Sequence, residues 1–169
     1  MSTYNIIYIV NNTSGDFMKI EKLMCKDLII CQTTDTISDI ASLMQRCDIG
    51  FIPIAEDKKI VGVITDRDIV INAISNNADL DSEIEKYITR NVISINKDKT
   101  VEDAVNLMGV EKIKRLLVTD KDKLVGVLSL SDIINSDIDN QLIIDNQKKI
   151  WEIFRNIDEY KTEIDDFYL

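Results

Sequence analysis

The sequence predicts an α/β (α+β) protein: two β-α-β-β-α repeats packed with pseudo-twofold symmetry, plus a C-terminal helix. Three observations predict this. The segment Ile60-Val61-Gly62-Val63-Ile64-Thr65-Asp66-Arg67-Asp68-Ile69 returns as Leu124-Val125-Gly126-Val127-Leu128-Ser129-Leu130-Ser131-Asp132-Ile133, an offset of 64 residues (Gly126 against Gly62). The register holds backwards without a gap to Glu21-Lys22, which meets Glu85-Lys86, by way of Ile49 and Ile113, Met44 and Met108, and Thr36 and Thr100. Within each copy the apolar spacing changes between helical and strand-like, and such self-similarity marks a repeated structural unit.

The elements follow in order. Residues 28–31 and 92–95 are short apolar runs read as first strands. Thr36 and Thr100 are N-cap types ahead of helices with apolar residues at Ile37, Ile40, Ala41, Met44 and at Val101, Ala104, Val105, Met108. Residues 51–55 and 116–119 are second strands, and 60–64 and 124–128 are third strands. The turns Glu56-Asp57-Lys58-Lys59 and Asp120-Lys121-Asp122-Lys123 join them as hairpins. A further helix starts at Asp66 and at Leu130. The division is residues 1–18 as an N-terminal extension, 19–77 and 83–135 as the repeats, and 136–169 as an acidic amphipathic helix and tail. One fifty-residue unit buries too little surface to be secure alone. Two of them, packed sheet against sheet, are expected to share a core with a cleft between the halves.

Composition narrows the function. The chain of 169 residues has a net charge of −10 and a pI near 4.5, so nucleic acid and membrane surfaces are poor partners. Residues 137–169 hold nine acids against four bases. There is no histidine, which removes the commonest general base and metal ligand. The apolar run 6–10 is too short for a signal peptide, and no stretch has the length of a bilayer span. Three cysteines without disulfide or zinc spacing suit a cytoplasmic location, with Cys25 and Cys47 expected in or beside the core.

The β-α-β-β-α plan and the repeated Gly-apolar-apolar-Ser/Thr-x-x-Asp ending resemble the CBS domain, found also in IMP dehydrogenase and the gamma subunit of AMP-activated protein kinase. Ile20-Glu21-Lys22-Leu23-Met24 is similar to that family's approach to its first strand. The resemblance covers residues 19–135. It implies two clefts for adenosine compounds. Each takes a ribose-binding Ser/Thr and Asp from the end of one repeat. The other repeat gives base-flanking residues from its first strand and phosphate-reaching residues from before its second strand. It also implies a homodimer.

The chemistry suits that role. One carboxylate can accept from both ribose hydroxyls, and charge-assisted bonds of this kind contribute roughly 1.5–3 kcal/mol each. The same Ser/Thr-x-x-Asp pattern is also a helix capping box, as Thr36-Ile37-Ser38-Asp39 and Thr100-Val101-Glu102-Asp103 are read to be. Both roles can coexist. A glycine ahead of the motif lets a backbone or a ligand approach closely.

Carried over residue by residue, the resemblance gives the first cleft Thr65, Arg67 and Asp68, with Val92, Ile93, Ser94 and Ile95 as base walls and Ile113, Lys114 and Arg115 near phosphates. The second cleft takes Ser129 and Asp132, with Ile29, Ile30 and Cys31, then Ile49 and Gly50 followed by Phe51. No cation is supplied there, so it is expected to be weaker. Leu117 departs from the pattern, since the first repeat has Pro53. The regulatory ligand implied is AMP, ADP or ATP, with S-adenosylmethionine as a further candidate and a protein partner in trans as the receiver of the signal. The alternative is a structural dimerisation module with degenerate clefts. An enzyme would need a nucleophile with a base, a metal cluster or a phosphate-binding glycine loop, and none is visible.

The ends carry two more expectations. Residues 4–10 have strand composition. Isoleucines 143, 150, 157 and 164, with Asn146, Ile153, Tyr160 and Phe167 three residues later, form an a/d heptad. This helix pairs with another chain or lies on its own module.

Overall fold

The computed structural model describes residues 18–136 and 147–155. Residues 4–10 and most of the heptad lie outside them. The first repeat comprises β1 (Cys31–Gln32), α1 (Ile37–Cys47), β2 (Phe51–Glu56), β3 (Lys59–Thr65) and α2 (Asp66–Asp68), which runs on through a π turn (Ile69–Ala73) and a 3-10 turn (Ile74–Asn76). The second comprises β4 (Ser94–Asn96), α3 (Val101–Glu111), β5 (Arg115–Asp120), β6 (Lys123–Ser129) and α4 (Leu130–Ile134). Each repeat makes a three-stranded sheet, ordered β1-β2-β3 and β4-β5-β6, with the first pair parallel and the second antiparallel.

The 64-residue offset holds in detail. Gly62 faces Ile54 and Gly126 faces Val118, and the ladder shifts register at Ile54/Ala55 and again at Val118/Thr119. Both hairpins turn through two residues at positive φ, Asp57 (47°) and Lys58 (66°), then Lys121 (47°) and Asp122 (64°). Such mirror-image turns match the twist of the flanking strands. Thr36 and Thr100 cap their helices by full capping boxes: each hydroxyl accepts from the Asp39 or Asp103 amide at 3.1 Å, and the carboxylates accept in return.

One difference between the repeats has a single atomic cause. Leu117 pairs with Ser94, and its amide donates to the Ile93 carbonyl at 3.3 Å. Pro53 occupies the equivalent place in β2 and has no amide to donate. The parallel pairing of β1 accordingly begins one position later, at Cys31, where β4 begins at Ser94.

The expectation of one shared core is corrected. Two apolar clusters form, one per repeat, and each is completed by the lead-in turn of the other repeat. The 3-10 turn Ile20–Lys22 and Met24 pack with Val105, Met108, Leu116 and Leu128 of the second repeat. The turn Ile84–Lys86 packs with Ile40, Met44, Ile52 and Ile64 of the first. Backbone bridges fix the exchange: Lys19 with Thr100 and Cys25 with Val127 on one side, Glu83 with Thr36 and Thr89 with Val63 on the other. Ile20 and Ile84 are fully buried.

The cysteines are also reassigned. Cys25 and Cys47 are exposed, and Cys31 is the buried one. Burial, with Asp35 and Asp39 nearby, pushes the Cys31 thiol up to about 11. Cys47 is the last residue of α1, next to Asp48 at φ 52°. No helix among the described residues is long and apolar enough to cross a membrane.

Candidate functional site

A cleft of about 650 Å³ opens between the repeats. Its floor is the strand-to-helix turn Thr65-Asp66-Arg67-Asp68. One wall is Asn91, Val92 and Ile93, ahead of β4, and the other is Lys112, Ile113, Lys114 and Arg115, joining α3 to β5. The structure therefore brings Thr65, Arg67, Asp68, Val92, Ile93, Ile113, Lys114 and Arg115 around one space.

The turn is held by its own capping box. Thr65 donates from its amide (2.9 Å) and hydroxyl (2.7 Å) to Asp68 Oδ2, and the Asp68 amide donates back to Thr65 Oγ1 at 3.1 Å. These contacts use one carboxylate oxygen, and Oδ1 stands outside the box. The boxes at Thr36 and Thr100 have similar geometry but lie in exposed surroundings, whereas Thr65 and Asp68 are half-buried against the cleft. Capping accounts for the local conformation, and position in the cleft sets this pair apart.

The cationic wall is crowded. Burial, and then the Arg115 guanidinium, push the Lys114 ammonium below its ordinary value. The Lys114 carbonyl accepts from the Leu130 amide at 2.9 Å, so its backbone is pinned to the start of α4. The Arg115 guanidinium lies 5.9 Å from the centroid of the Phe51 ring, its own twofold equivalent. A cation at that distance from a ring face is attracted to it. Phe51 was expected in the second cleft; it lines the first, where the twofold brings β2 and β5 together.

Other placements narrow the expectations. Ser94 is exposed on β4, and Ile95 is turned into the core of its repeat, so neither lines the cleft. Cys31 faces the first core in the same way. Ser129 and Asp132 form a box like that of Thr65, at 2.6 Å from hydroxyl to carboxylate. Ile29 and Ile49 are half-buried, and Ile30 is 42 % exposed. Gly50 sits against the Asp66 carboxylate: a Cβ there would stand 2.7 Å from Oδ2.

Sequence reasoning missed Lys112, the left-handed residue after α3 (φ 55°), which lines the first cleft. The repeat register held the signal, since its counterpart is Asp48, the left-handed residue after α1. Four cations (Arg67, Lys112, Lys114, Arg115) and two carboxylates (Asp66, Asp68) thus line the first cleft. By the 64-residue register the counterparts of these six are Ser131, Asp48, Gly50, Phe51, Leu130 and Asp132, with two carboxylates and no cation. Thr89, Asn91 and Ile153 also line the first cleft and had not been assigned to it.

Comparison with known proteins agrees with this architecture. The CBS domain family matches residues 20–74 and again 83–139. The chain belongs to the CBS domain family and carries two copies in tandem. It is similar to the uncharacterized protein YlbB of Bacillus subtilis, 30% identical over 125 residues that span 73% of this chain and 84% of YlbB. It is also 30% identical to the inosine-5'-monophosphate dehydrogenase of Methanocaldococcus jannaschii over 69% of this chain and 23% of that enzyme. Among solved structures, the CBS domain pair of protein MJ0100, in complex with 5-methylthioadenosine and S-adenosyl-L-methionine, superposes with a TM-score of 0.64 at 28% identity, covering 70% of this chain and 94% of that one.

Proposed function

We propose that this protein is a regulatory CBS pair that binds an adenine nucleotide, AMP, ADP or ATP, in the first cleft, and is not an enzyme. The observation that carries the reading is the meeting of the half-buried Asp68 carboxylate with four cations in one cleft, in a chain of net charge −10. Asp68 grips the ribose diol, Val92 and Ile93 flank the base, and Lys112, Lys114 and Arg115 take the phosphates. A phosphate also relieves the repulsion between Lys114 and Arg115. The MJ0100 complex supports an adenosine-type ligand. The cations favour a phosphate over the sulfonium of S-adenosylmethionine, since like charges repel.

Titration calorimetry with adenosine, AMP, ADP, ATP and S-adenosylmethionine tests this. Affinity is expected to rise from adenosine to the phosphorylated forms, and Lys114→Ala with Arg115→Ala to lower it by roughly tenfold or more for ATP while leaving adenosine little changed. Adenosine binding as tightly as ATP, or no binding at all, defeats the assignment.

The signal passes through a rearrangement of a homodimer or of a protein partner in trans. Val70, Ile71 and Ile74, 59 %, 45 % and 46 % exposed after α2, support a second copy, because they cluster apolar surface on one turn. Light scattering at micromolar concentration is expected to give twice the chain mass of 19.3 kDa, and a monomer refutes the pairing.

A further inference from the structure

The first cleft is lined by one residue from outside the two family segments. Ile153 belongs to α5 (Gln147–Arg155), beyond the matched residues 83–139. The helix lies on α3, with Ile150 and Ile153 8 % and 2 % exposed inside the second repeat's core, and Lys149 donating to the Asn106 side chain. Ile153 thus faces two ways, being part of the core and of the cleft lining.

Ile153 packs on α3 beside a glycine. Gly109 sits inside that helix, where glycine is a poor helix former. Its Cβ direction is met by Ile153, at 4.0 Å from Cγ1. The equivalent position of α1 carries Gln45, exposed to solvent. A long side chain at 109 competes with Ile153 for the same space.

We infer that α5 is the output element of the first cleft: Ile153 completes its wall, so that ligand occupancy and docking of the helix on α3 stabilise each other. This rests on the nucleotide reading of the cleft. A ligand that packs on Ile153 gains contact only when α5 is docked, and by linkage the docked helix gains the same free energy from the ligand. Couplings of this kind are on the order of fivefold or more. The only tryptophan, Trp151, stands on the same helix, 60 % exposed, and reports on it directly.

Hydrogen exchange of residues 147–155 in the full chain, with and without saturating ATP or AMP, tests the coupling. Calorimetry on the same samples gives the occupancy. Exchange is expected to slow about fivefold or more with ligand, and Trp151 emission to change with the same titration curve. Gly109→Gln, which strengthens α3 as a helix, is expected to weaken nucleotide binding roughly fivefold or more, and Ile153→Ala to do likewise. Measurable binding with unchanged or faster exchange in 147–155, or with unaltered affinity in both variants, overturns the inference and leaves the nucleotide reading standing. Absence of binding by every adenine compound overturns both.

Discussion

Asp68→Ala is expected to weaken adenine-nucleotide binding by roughly thirty- to several-hundred-fold, about 2–4 kcal/mol, whereas Asp132→Ala changes it far less. The two substitutions are matched controls. Each removes the carboxylate of a capping box with closely similar distances, 2.7 Å from Thr65 and 2.6 Å from Ser129, so each costs about 1 kcal/mol of stability. Only Asp68 stands in the cleft with Arg67, Lys112, Lys114 and Arg115. A 2′,3′-dideoxy nucleotide is expected to lose as much affinity for the parent protein as Asp68→Ala loses for the ordinary nucleotide. Calorimetry on the parent and both variants decides it. Equal damage from both substitutions, or none from either, reduces Thr65 and Asp68 to a helix cap.

Gly62→Val is expected to destabilise the protein by roughly 3–5 kcal/mol and to disrupt nucleotide binding with it. A Cβ at Gly62 would stand 2.9 Å from the Thr89 carbonyl oxygen and 3.2 Å from Ile88 Cδ1. The backbone there cannot yield without breaking the paired bonds between Val63 and Thr89, at 3.0 and 2.8 Å. Val92 and Ile93 follow on the same lead-in segment, so the cleft wall moves with it. Gly126→Val is expected to be milder, because its nearest neighbour is the flexible Met24 side chain (2.6 Å to Sδ), with the Cys25 carbonyl further off at 3.1 Å. Urea denaturation of both variants measures the difference. Equal losses contradict the backbone explanation. In both repeats the glycine accommodates the close approach of a lead-in segment.

Much of this was legible in the residues because the chain states it twice. The helix starts at Thr36 and Thr100, the hairpins and the equivalent places of Gly62 and Gly126 all follow from one ungapped register. Eight of the first cleft's residues came from the family pattern laid on that register. The orientation of the first strands was not legible. Runs such as Leu28-Ile29-Ile30-Cys31 are apolar at every position, so alternation cannot tell core from cleft, and Cys31 and Ile95 turned inward. The exchange of lead-in turns was hidden for a related reason. Ile20 and Ile84 occupy equivalent places, and an internal repeat does not say which core each one fills. Lys112 was hidden because its role comes from a left-handed backbone after α3, where glycine is the usual occupant.

The exchanged lead-in turns also set an order of assembly during synthesis. Lys19 and Asp98 form an ion pair 79 residues apart, and Ile20 reaches its core only when the second repeat has formed. The first repeat, though complete in sequence by Asn76, lacks Ile84 until the next lead-in turn has left the ribosome. Such long-range closure raises contact order and slows folding. During that interval the nascent chain exposes the unfinished apolar face of the first repeat and an Ile20 turn whose own core has not yet been made. A second nascent chain carries the same turns and can supply either one to an unfinished face, and domain-swapped dimers are the misassembly this topology invites.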